Sequence, residues 1–228
     1  MVRHLAPVRR QLRPAGGGVV SARMLGRFTD GSPEWHEARR WRIGGSEIGQ
    51  VMGWSPFGGR DDLLTAKLAD PDPDRQSTKA QMRGTLLEPA ILAWGAEVHG
   101  YHYDETRRGT WLHGVFDWAH FNPDAVTADG LLIECKSTVD RSAERGWGRA
   151  GTDAVPLGYR AQVTWGMGLL GLDAAHVLVL HGATNGRPDL AFARYVVPFD
   201  RPLFTRLLAA GLAFHNDLTA ARNLAAAA

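Results

Sequence analysis

The stretch GLLIECKSTVD, residues 130–140, contains the features that decide the fold. Residues 131–133 are an apolar run typical of a strand that enters a hydrophobic core. Glu134 and Lys136 follow, and because side chains alternate along a strand, both are expected on one face with Cys135 on the other. The sequence therefore places a carboxylate and an ammonium group side by side at the end of a buried strand.

The residues just upstream predict a partner for that strand. The Asp129-Gly130 pair is a strong signal for a hairpin turn, and the hairpin would bring Asp124, in NPDAV, close to Glu134. Two carboxylates so close repel each other unless a proton or a cation lies between them. Oxygen ligands suit Mg²⁺ or Mn²⁺, beside which Lys136 would orient or deprotonate a water molecule and stabilise phosphoryl charge. The alternative is a structural salt bridge from Lys136 to either carboxylate.

Length and composition fit one globular domain with a single large core. The chain has 228 residues, of which 44% are hydrophobic and 22% are charged. It has no apolar run of the roughly 18 to 20 residues that a membrane-spanning helix needs, and its basic N-terminus lacks the apolar segment of a secretory signal. A single cysteine excludes an internal disulfide and a cysteine-ligated iron–sulfur cluster. These features predict a cytoplasmic protein without a membrane anchor.

Positive charge is concentrated near the N-terminus. The net charge is only +2, but residues 1–42 hold nine arginines against three acidic residues. Such a cluster is able to contact phosphates, although Arg-rich tails are as often merely solvated. Residues 1–30 have no periodicity and are predicted to be a flexible basic extension, which leaves residues 31–228 as one folded domain.

The pattern along the folded part alternates between helices and strands. Helices are predicted in EWHEARRW after a Ser32 cap, SEIGQVMG, DDLLTAKLA, MRGTLLEPAILAWGAEVHG (with Val98 on its apolar face), LGYRAQVTWGMGLLG and the C-terminal PLFTRLLAAGLAFHNDLTAARNLAAAA. Strands are predicted at residues 110–116, 118–126 and 131–137 and in HVLVLHGA and ARYVVPFD, with DPDPDRQST as a polar connection. This order indicates a mixed α/β (α+β) single domain.

Several motifs together resemble a known family. Pro123 and Asp124 followed by ECK at residues 134–136 match the PD-(D/E)xK nuclease pattern, which is weak alone. Five blocks occur in the order found in lambda-exonuclease-type, YqaJ-like viral recombinases, namely EWHEARRWRIGGSEIGQVMG, RGTLLEPAILAWG, NPDAV, LIECKS and GYRAQVTWGMGLLG. The resemblance covers about residues 33–220. It implies a restriction-endonuclease-like core in which helices flank a central mixed sheet.

The resemblance also implies roles for individual residues. Its metal ligands fall on Glu88, Asp124, Glu134 and the backbone carbonyl of Cys135, and its catalytic residues on Asp124, Glu134, Lys136 and Gln162. Without the resemblance, Glu88 would be taken for a surface helix residue. The side chain of Cys135 is expected in the core.

A second group of residues resembles the family's pocket for a terminal 5′-phosphate. Arg39 aligns with the phosphate-binding arginine and Ser46 with its hydroxyl partner, in keeping with the affinity of guanidinium groups for phosphate. Asn122 stands where the family often has serine, which leaves an amide as the donor. Tyr159 lies on the helix face of Gln162, where it would contact the DNA backbone, support the site or pack in the core.

The family likeness implies a Mg²⁺-dependent 5′→3′ exonuclease on duplex DNA ends, in which Mn²⁺ substitutes for Mg²⁺. The likeness further implies that the product is 3′ single-stranded DNA for an annealing protein or recombinase, and that the enzyme forms a homotrimeric ring. The alternatives are a PD-(D/E)xK endonuclease of repair or restriction, and a catalytically inactive DNA-binding relative.

Overall fold

The computed structural model describes residues 22–70 and 78–227, and all statements about the fold refer to them. Within these ranges the chain forms six α-helices and seven strands in a mixed order, as the sequence pattern predicts. Residues 1–21 of the predicted extension and residues 71–77 of the predicted polar connection lie outside the described residues.

All six helices lie in stretches that the sequence predicts to be helical. They are α1 Pro33–Arg40, α2 Gly45–Val51, α3 Arg60–Leu68, α4 Lys79–His99, α5 Leu157–Leu170 and α6 Arg201–Ala227. The predicted cap of α1 is confirmed, because Oγ of Ser32 accepts the backbone N–H of Trp35 at 3.2 Å. Val98 is 57% exposed, which contradicts its predicted place on the buried face of α4. That face is narrow, and only Ile91 and Gly95 of α4 are buried.

The strands form two sheets. They are β1 Arg23–Gly26, β2 Thr110–Leu112, β3 His120–Phe121, β4 Ala125–Val126, β5 Leu132–Thr138, β6 Ala174–Thr184 and β7 Arg187–Pro198. The order is β1-β2-β3 in one sheet and β4-β5-β6-β7 in the other. β1 lies inside the segment expected to be an extension, and its backbone pairs antiparallel with β2.

The stretch 118–126 does not form the single strand that its composition predicts. It is divided into β3 and β4, which belong to different sheets, with Asn122, Pro123 and Asp124 between them. Pro123 has no N–H for a sheet ladder, and this favours a break at that point. The break leaves Asp124 at the start of β4.

The predicted hairpin between β4 and β5 is confirmed. Ala125 pairs with Ile133 and Val126 with Leu132, and Gly130 in the turn has a φ of +87°, which favours glycine. β5 then pairs parallel with β6, which pairs antiparallel with β7, so the sheet is mixed.

Helices cover both faces of this four-stranded sheet. On one face Ile133 of β5 and Leu178 of β6 pack against Ile91 of α4. On the other face the larger core cluster joins Leu132 to residues of α5 and α6, such as Trp165 and Phe214. The predicted core, a mixed sheet flanked by helices, is therefore present. None of the helices within the described ranges has the length and hydropathy of a membrane span.

Candidate active site

The predicted site residues meet in one cleft of about 250 Å³. α1 and α2 contribute to one wall, α4 to another, and Asp124 with the middle of β5 forms the floor. Nine of the ten predicted site residues line it, namely Arg39, Ser46, Glu88, Asn122, Asp124, Glu134, Cys135, Lys136 and Gln162. The tenth, Tyr159, lies beside it, with its ring 5.1 Å from Nζ of Lys136.

Strand pairing places Asp124 and Glu134 next to each other at the floor. Oδ2 of Asp124 accepts the backbone N–H of Cys135 at 2.6 Å, which ties the start of β4 to β5. Cys135 packs its side chain towards the cluster around Ile91, as expected for a residue on the opposite strand face from Glu134. Ile91 lies one turn after Glu88 on α4, and this spacing brings Glu88 to the cleft.

Glu134 is the centre of a hydrogen-bonded group on the α5 side of the sheet. Its side chain is 1% exposed, and its Oε1 accepts from Nζ of Lys136 and, at 2.5 Å, from Nε2 of Gln162 on α5. The ion pair that the sequence offered as a structural alternative for Lys136 is therefore present. It lies inside a cleft with three further carboxylates, Asp30, Glu88 and Asp124, whereas a purely structural salt bridge needs no such neighbours.

Burial and mutual repulsion raise the pKa values of three carboxyl groups in the cleft. Burial, followed by the neighbouring Asp124, raises the pKa of Glu88 to about 7. Burial and then the charge of Glu134 raise the pKa of Asp124 to about 7. The pKa of Glu134 is also raised, mainly by burial. Burial disfavours the ammonium of Lys136, but Glu134 and Asp124 outweigh that effect and hold its pKa above the ordinary value.

The donor atoms of the cleft fit a hard divalent cation. Oε2 of Glu134 and Oδ1 of Asn122 are buried without a hydrogen-bond partner, and the other candidate donors are also oxygens. In the described residues, no three His, Cys, Asp or Glu side chains already stand together at metal-ligand spacing. Oε1 of Glu134 and Oδ2 of Asp124 are bonded within the protein instead. The cation site thus stays a prediction that rests on the unpaired oxygens and on the raised pKa values.

Arg39 and Ser46 meet in the same cleft. Nη2 of Arg39 donates to Oγ of Ser46 at 3.4 Å, and the guanidinium lies 4.2 Å from the centre of the Trp35 ring. Asn122 donates its amide N–H to Oγ1 of Thr110 at 2.9 Å and leaves its oxygen without a partner. The amide donor that replaces the family's serine is therefore already bonded to Thr110.

The structure also brings in residues that the sequence did not single out. Asp30 and Trp35 line the cleft, and an ion pair of Glu47 and Lys67 lies behind Arg39. The spacing of Trp35 four residues before Arg39 was a usable signal, because such residues share a helix face. Nothing local distinguishes Lys67, which looks like any charged residue of an amphipathic helix.

A mixed sheet with Pro-Asp immediately before one strand and Glu-x-Lys on the next, with a helix carboxylate beside them, defines a nuclease of the PD-(D/E)xK type. The model of the YqaJ-like viral recombinase domain matches residues 34–173, which is more than half of the chain. The chain belongs to that family.

Two solved proteins with a similar fold are exonucleases of distant sequence. An alkaline exonuclease from Laribacter hongkongensis, LHK-Exo, is 19% identical with a TM-score of 0.65, over 85% of this chain and 95% of its own. LHK-Exo has also been solved in complex with dAMP. A phage-related exonuclease from Haemophilus somnus 129PT is 14% identical with a TM-score of 0.54, over 78% of this chain and 95% of its own. Comparison with curated proteins returns no significant relative.

Proposed function

We propose that this protein is a Mg²⁺-dependent exonuclease that degrades one strand of linear duplex DNA in the 5′→3′ direction and leaves 3′ single-stranded DNA. The observation that carries the proposal is the meeting of Glu88, Asp124 and Glu134 in one cleft with Lys136. The raised pKa values of the three carboxyl groups mean that the folded protein disfavours their joint ionisation. A bound divalent cation would remove that penalty.

In this proposal Glu88, Asp124, Glu134 and the backbone carbonyl of Cys135 hold the cation. The cation supplies Lewis-acid polarisation of the scissile phosphate and a more acidic water molecule. The bond from the Cys135 N–H holds Asp124 in place. Gln162 donates to Glu134 at 2.5 Å and so fixes the orientation of that carboxylate on β5.

Lys136 acts as a charged donor. Its ammonium is bonded to Glu134 and carries a raised pKa, so it stays protonated near neutral pH. From this position it stabilises negative charge that develops on the phosphate oxygens and orients the attacking water molecule. The Tyr159 ring, 5.1 Å from Nζ, restricts where the ammonium can lie and adds a cation–π contact.

Arg39 and Ser46 support action at an end rather than within a strand. Their side chains lie in the same cleft as the carboxylates, so a terminal phosphate bound there would place a neighbouring phosphodiester near Asp124. The guanidinium offers several N–H donors in one plane, which suits the oxygens of a phosphate. The dAMP complex of LHK-Exo shows that a protein of this fold accommodates a nucleoside monophosphate.

The experiment is digestion of one linear duplex that carries a different label at each 5′ and 3′ terminus, with Mg²⁺ or with EDTA. We expect loss of the 5′ labels first, persistence of the 3′-terminated strand, and no reaction in EDTA. Lys136→Ala should lower kcat by about 100-fold or more, whereas Lys79→Ala, a matched change of an exposed lysine on α4, should retain wild-type activity. Wild-type speed in Lys136→Ala would disprove the site.

The same assay separates the rival functions. Cutting of covalently closed circular DNA would identify an endonuclease, because a closed circle offers no end to Arg39 and Ser46. Binding of duplex DNA without hydrolysis in Mg²⁺ or Mn²⁺ would identify an inactive DNA-binding relative.

We also propose that the enzyme works as a homotrimeric ring in the cytoplasm, which is that of the bacterial host if the gene is phage-encoded, with a single-strand annealing protein or recombinase as its partner. Membership of the YqaJ-like viral recombinase family supports this assembly. Light scattering on the purified protein should give three times the monomer mass of 24.9 kDa. A monomer at all protein concentrations would contradict the ring.

A further inference from the structure

A buried ion pair lies behind the cleft, and the chemistry proposed above does not use it. Nζ of Lys67 is 2.9 Å from Oε1 of Glu47, and the two side chains are 6% and 17% exposed. Removing both charges from water is energetically costly, and a hydrophobic pair of similar volume is often at least as stable. Stability alone therefore does not explain why two charges occupy this position.

The pair connects both halves of the proposed end-binding pocket. Lys67, on α3, donates a second hydrogen bond to the backbone carbonyl of Arg39 at 3.2 Å, at the last turn of α1. Glu47 uses its other oxygen, Oε2, to accept the backbone N–H of Gly44 at 2.8 Å, at the start of α2. The backbone that carries Arg39 and the backbone that leads into Ser46 are thus bonded to the same two side chains.

The charges of the pair and its neighbours leave a net positive charge beside Arg39. Burial opposes ionisation of Glu47, but Lys67 and then Arg39 outweigh it and hold its pKa below the ordinary value. Burial and then Arg39 lower the pKa of His120 to about 3, so His120 is neutral. Lys67 and Arg39 against Glu47 leave a net positive charge, and of these three groups only Arg39 lines the cleft.

Close packing around the pair leaves little freedom for adjustment. The His120 ring lies against Gly44, where an added Cβ would be 2.8 Å from both Cε1 and Nε2 of the ring. The backbone of His120 is itself fixed, because its N–H donates to the carbonyl of Ile43 at 3.0 Å. A shift of Glu47 or Lys67 would therefore be passed on to the residues that form the pocket.

We propose that Glu47 and Lys67 are positioning residues that hold Arg39 and Ser46 at the spacing of a phosphate group and so determine the preference for a 5′-phosphorylated DNA end. The proposal rests on the proposed function of Arg39 and Ser46 as the end-binding pocket. The pair touches no substrate and acts only through the backbone of α1 and α2 and through the charge beside Arg39.

The test compares kcat and KM on the same linear duplex with a 5′-phosphate and with a 5′-hydroxyl. The variants are Lys67→Met, Glu47→Gln and the double variant, with thermal unfolding measured for each. Arg39→Ala reports the loss of the pocket itself. Arg60→Met is the matched control, because Arg60 also lies on α3 and forms an ion pair, with Asp217 of α6, but does not line the cleft.

We expect each single variant to lower the ratio of kcat/KM values, phosphate over hydroxyl, by roughly tenfold, mainly through KM, since small displacements of binding groups have effects of this size or larger. Arg60→Met should keep the wild-type ratio. The double variant removes both charges, so it should recover thermal stability relative to the less stable single variant while the ratio stays low. This combination separates positioning from a loss of folding.

Two results would overturn the proposal while the end-binding pocket stands. One is a double variant that recovers both stability and the phosphate preference, since the pair would then be structural only. The other is an Arg39→Ala variant that loses the preference while the Glu47 and Lys67 variants keep it. If Arg39→Ala itself keeps the preference, the proposed pocket is wrong and this inference falls with it.

Discussion

Replacement of Asp124 by asparagine is expected to stabilise the metal-free protein while it abolishes DNA hydrolysis. Asparagine has nearly the same shape and still accepts the Cys135 N–H through its carbonyl oxygen, a bond that measures 2.6 Å with aspartate. It does not ionise, so it removes one of three crowded carboxylates. It also removes a proposed cation ligand.

The size of the stabilisation follows from the pKa of Asp124, which lies at about 7 against an ordinary value of 3.8. Each tenfold change in an acid dissociation constant corresponds to about 1.4 kcal/mol, so ionisation costs the folded state on the order of 4 kcal/mol. Asp124 is partly exposed, and screening by water reduces this to roughly 2 to 4 kcal/mol. For a domain of this length, such a gain raises Tm by roughly 5 to 15 °C.

The pH dependence has a definite sign. The folded carboxyl group binds its proton more tightly than the unfolded one, so ionisation of Asp124 makes the wild-type protein lose stability as the pH rises from about 4 to about 7. The Tm difference between Asp124→Asn and wild type should therefore be small near pH 4, grow up to pH 7, and stay constant above it. Mg²⁺ should reduce the difference at pH 8 by stabilising the wild-type protein more.

The assay is thermal unfolding in EDTA across this pH range, followed by a Mg²⁺ titration. Asp153→Asn is the control, because the pKa of Asp153 is shifted in the opposite direction. Arg160 donates a hydrogen bond to that carboxylate at 2.8 Å and lowers its pKa. It should be neutral or slightly destabilising at pH 8. Equal Tm values for Asp124→Asn and wild type at pH 8, or a difference independent of pH, would refute the reasoning about carboxylate crowding.

Three further predictions concern the surroundings of the carboxylates. Lys136→Ala leaves Glu134 buried without the ammonium group that it bonds to. In a denaturant titration in EDTA at pH 8, the free energy of unfolding should therefore fall by about 3 kcal/mol. An unchanged free energy would contradict the buried ion pair. Gln162→Leu removes the 2.5 Å hydrogen bond to Glu134. It should lower kcat by about tenfold in the labelled-duplex assay with little change in Tm. An unchanged kcat would show that Gln162 is not part of the active site. Gly44→Ala places a Cβ 2.8 Å from the His120 ring. The free energy of unfolding in urea should fall by about 1 to 3 kcal/mol because of this clash. The fall should be smaller when His120 is also replaced by alanine.

The parts of the site that depend on neighbours in sequence were predictable. Alternation along β5 places Glu134 and Lys136 on one face, and the Asp129-Gly130 turn pairs β4 with β5 and so brings Asp124 beside them. Ser32 predicted the start of α1 for the same reason, since a cap involves residues only three positions apart.

The parts that depend on distant segments were not predictable from local patterns. β1 forms because β2, more than eighty residues later, offers a free edge, and nothing in its own periodicity indicates a strand. Glu88 joins the carboxylates only because α4 packs on the sheet through Ile91. In the sequence it was assigned by family likeness, and its spacing alone indicated a surface residue.

The local sequence therefore determined the hairpin, the alternation and the caps, because these depend on backbone preferences and on side chains a few residues apart. The tertiary structure alone decided that Glu88 lies beside Asp124, and that Lys67 on α3 bonds to Glu47 and to the carbonyl of Arg39. The physical reason is that burial sets the strength of these interactions. A carboxylate or an ammonium group acquires its shifted pKa and its fixed partner only when packing of distant segments removes it from water.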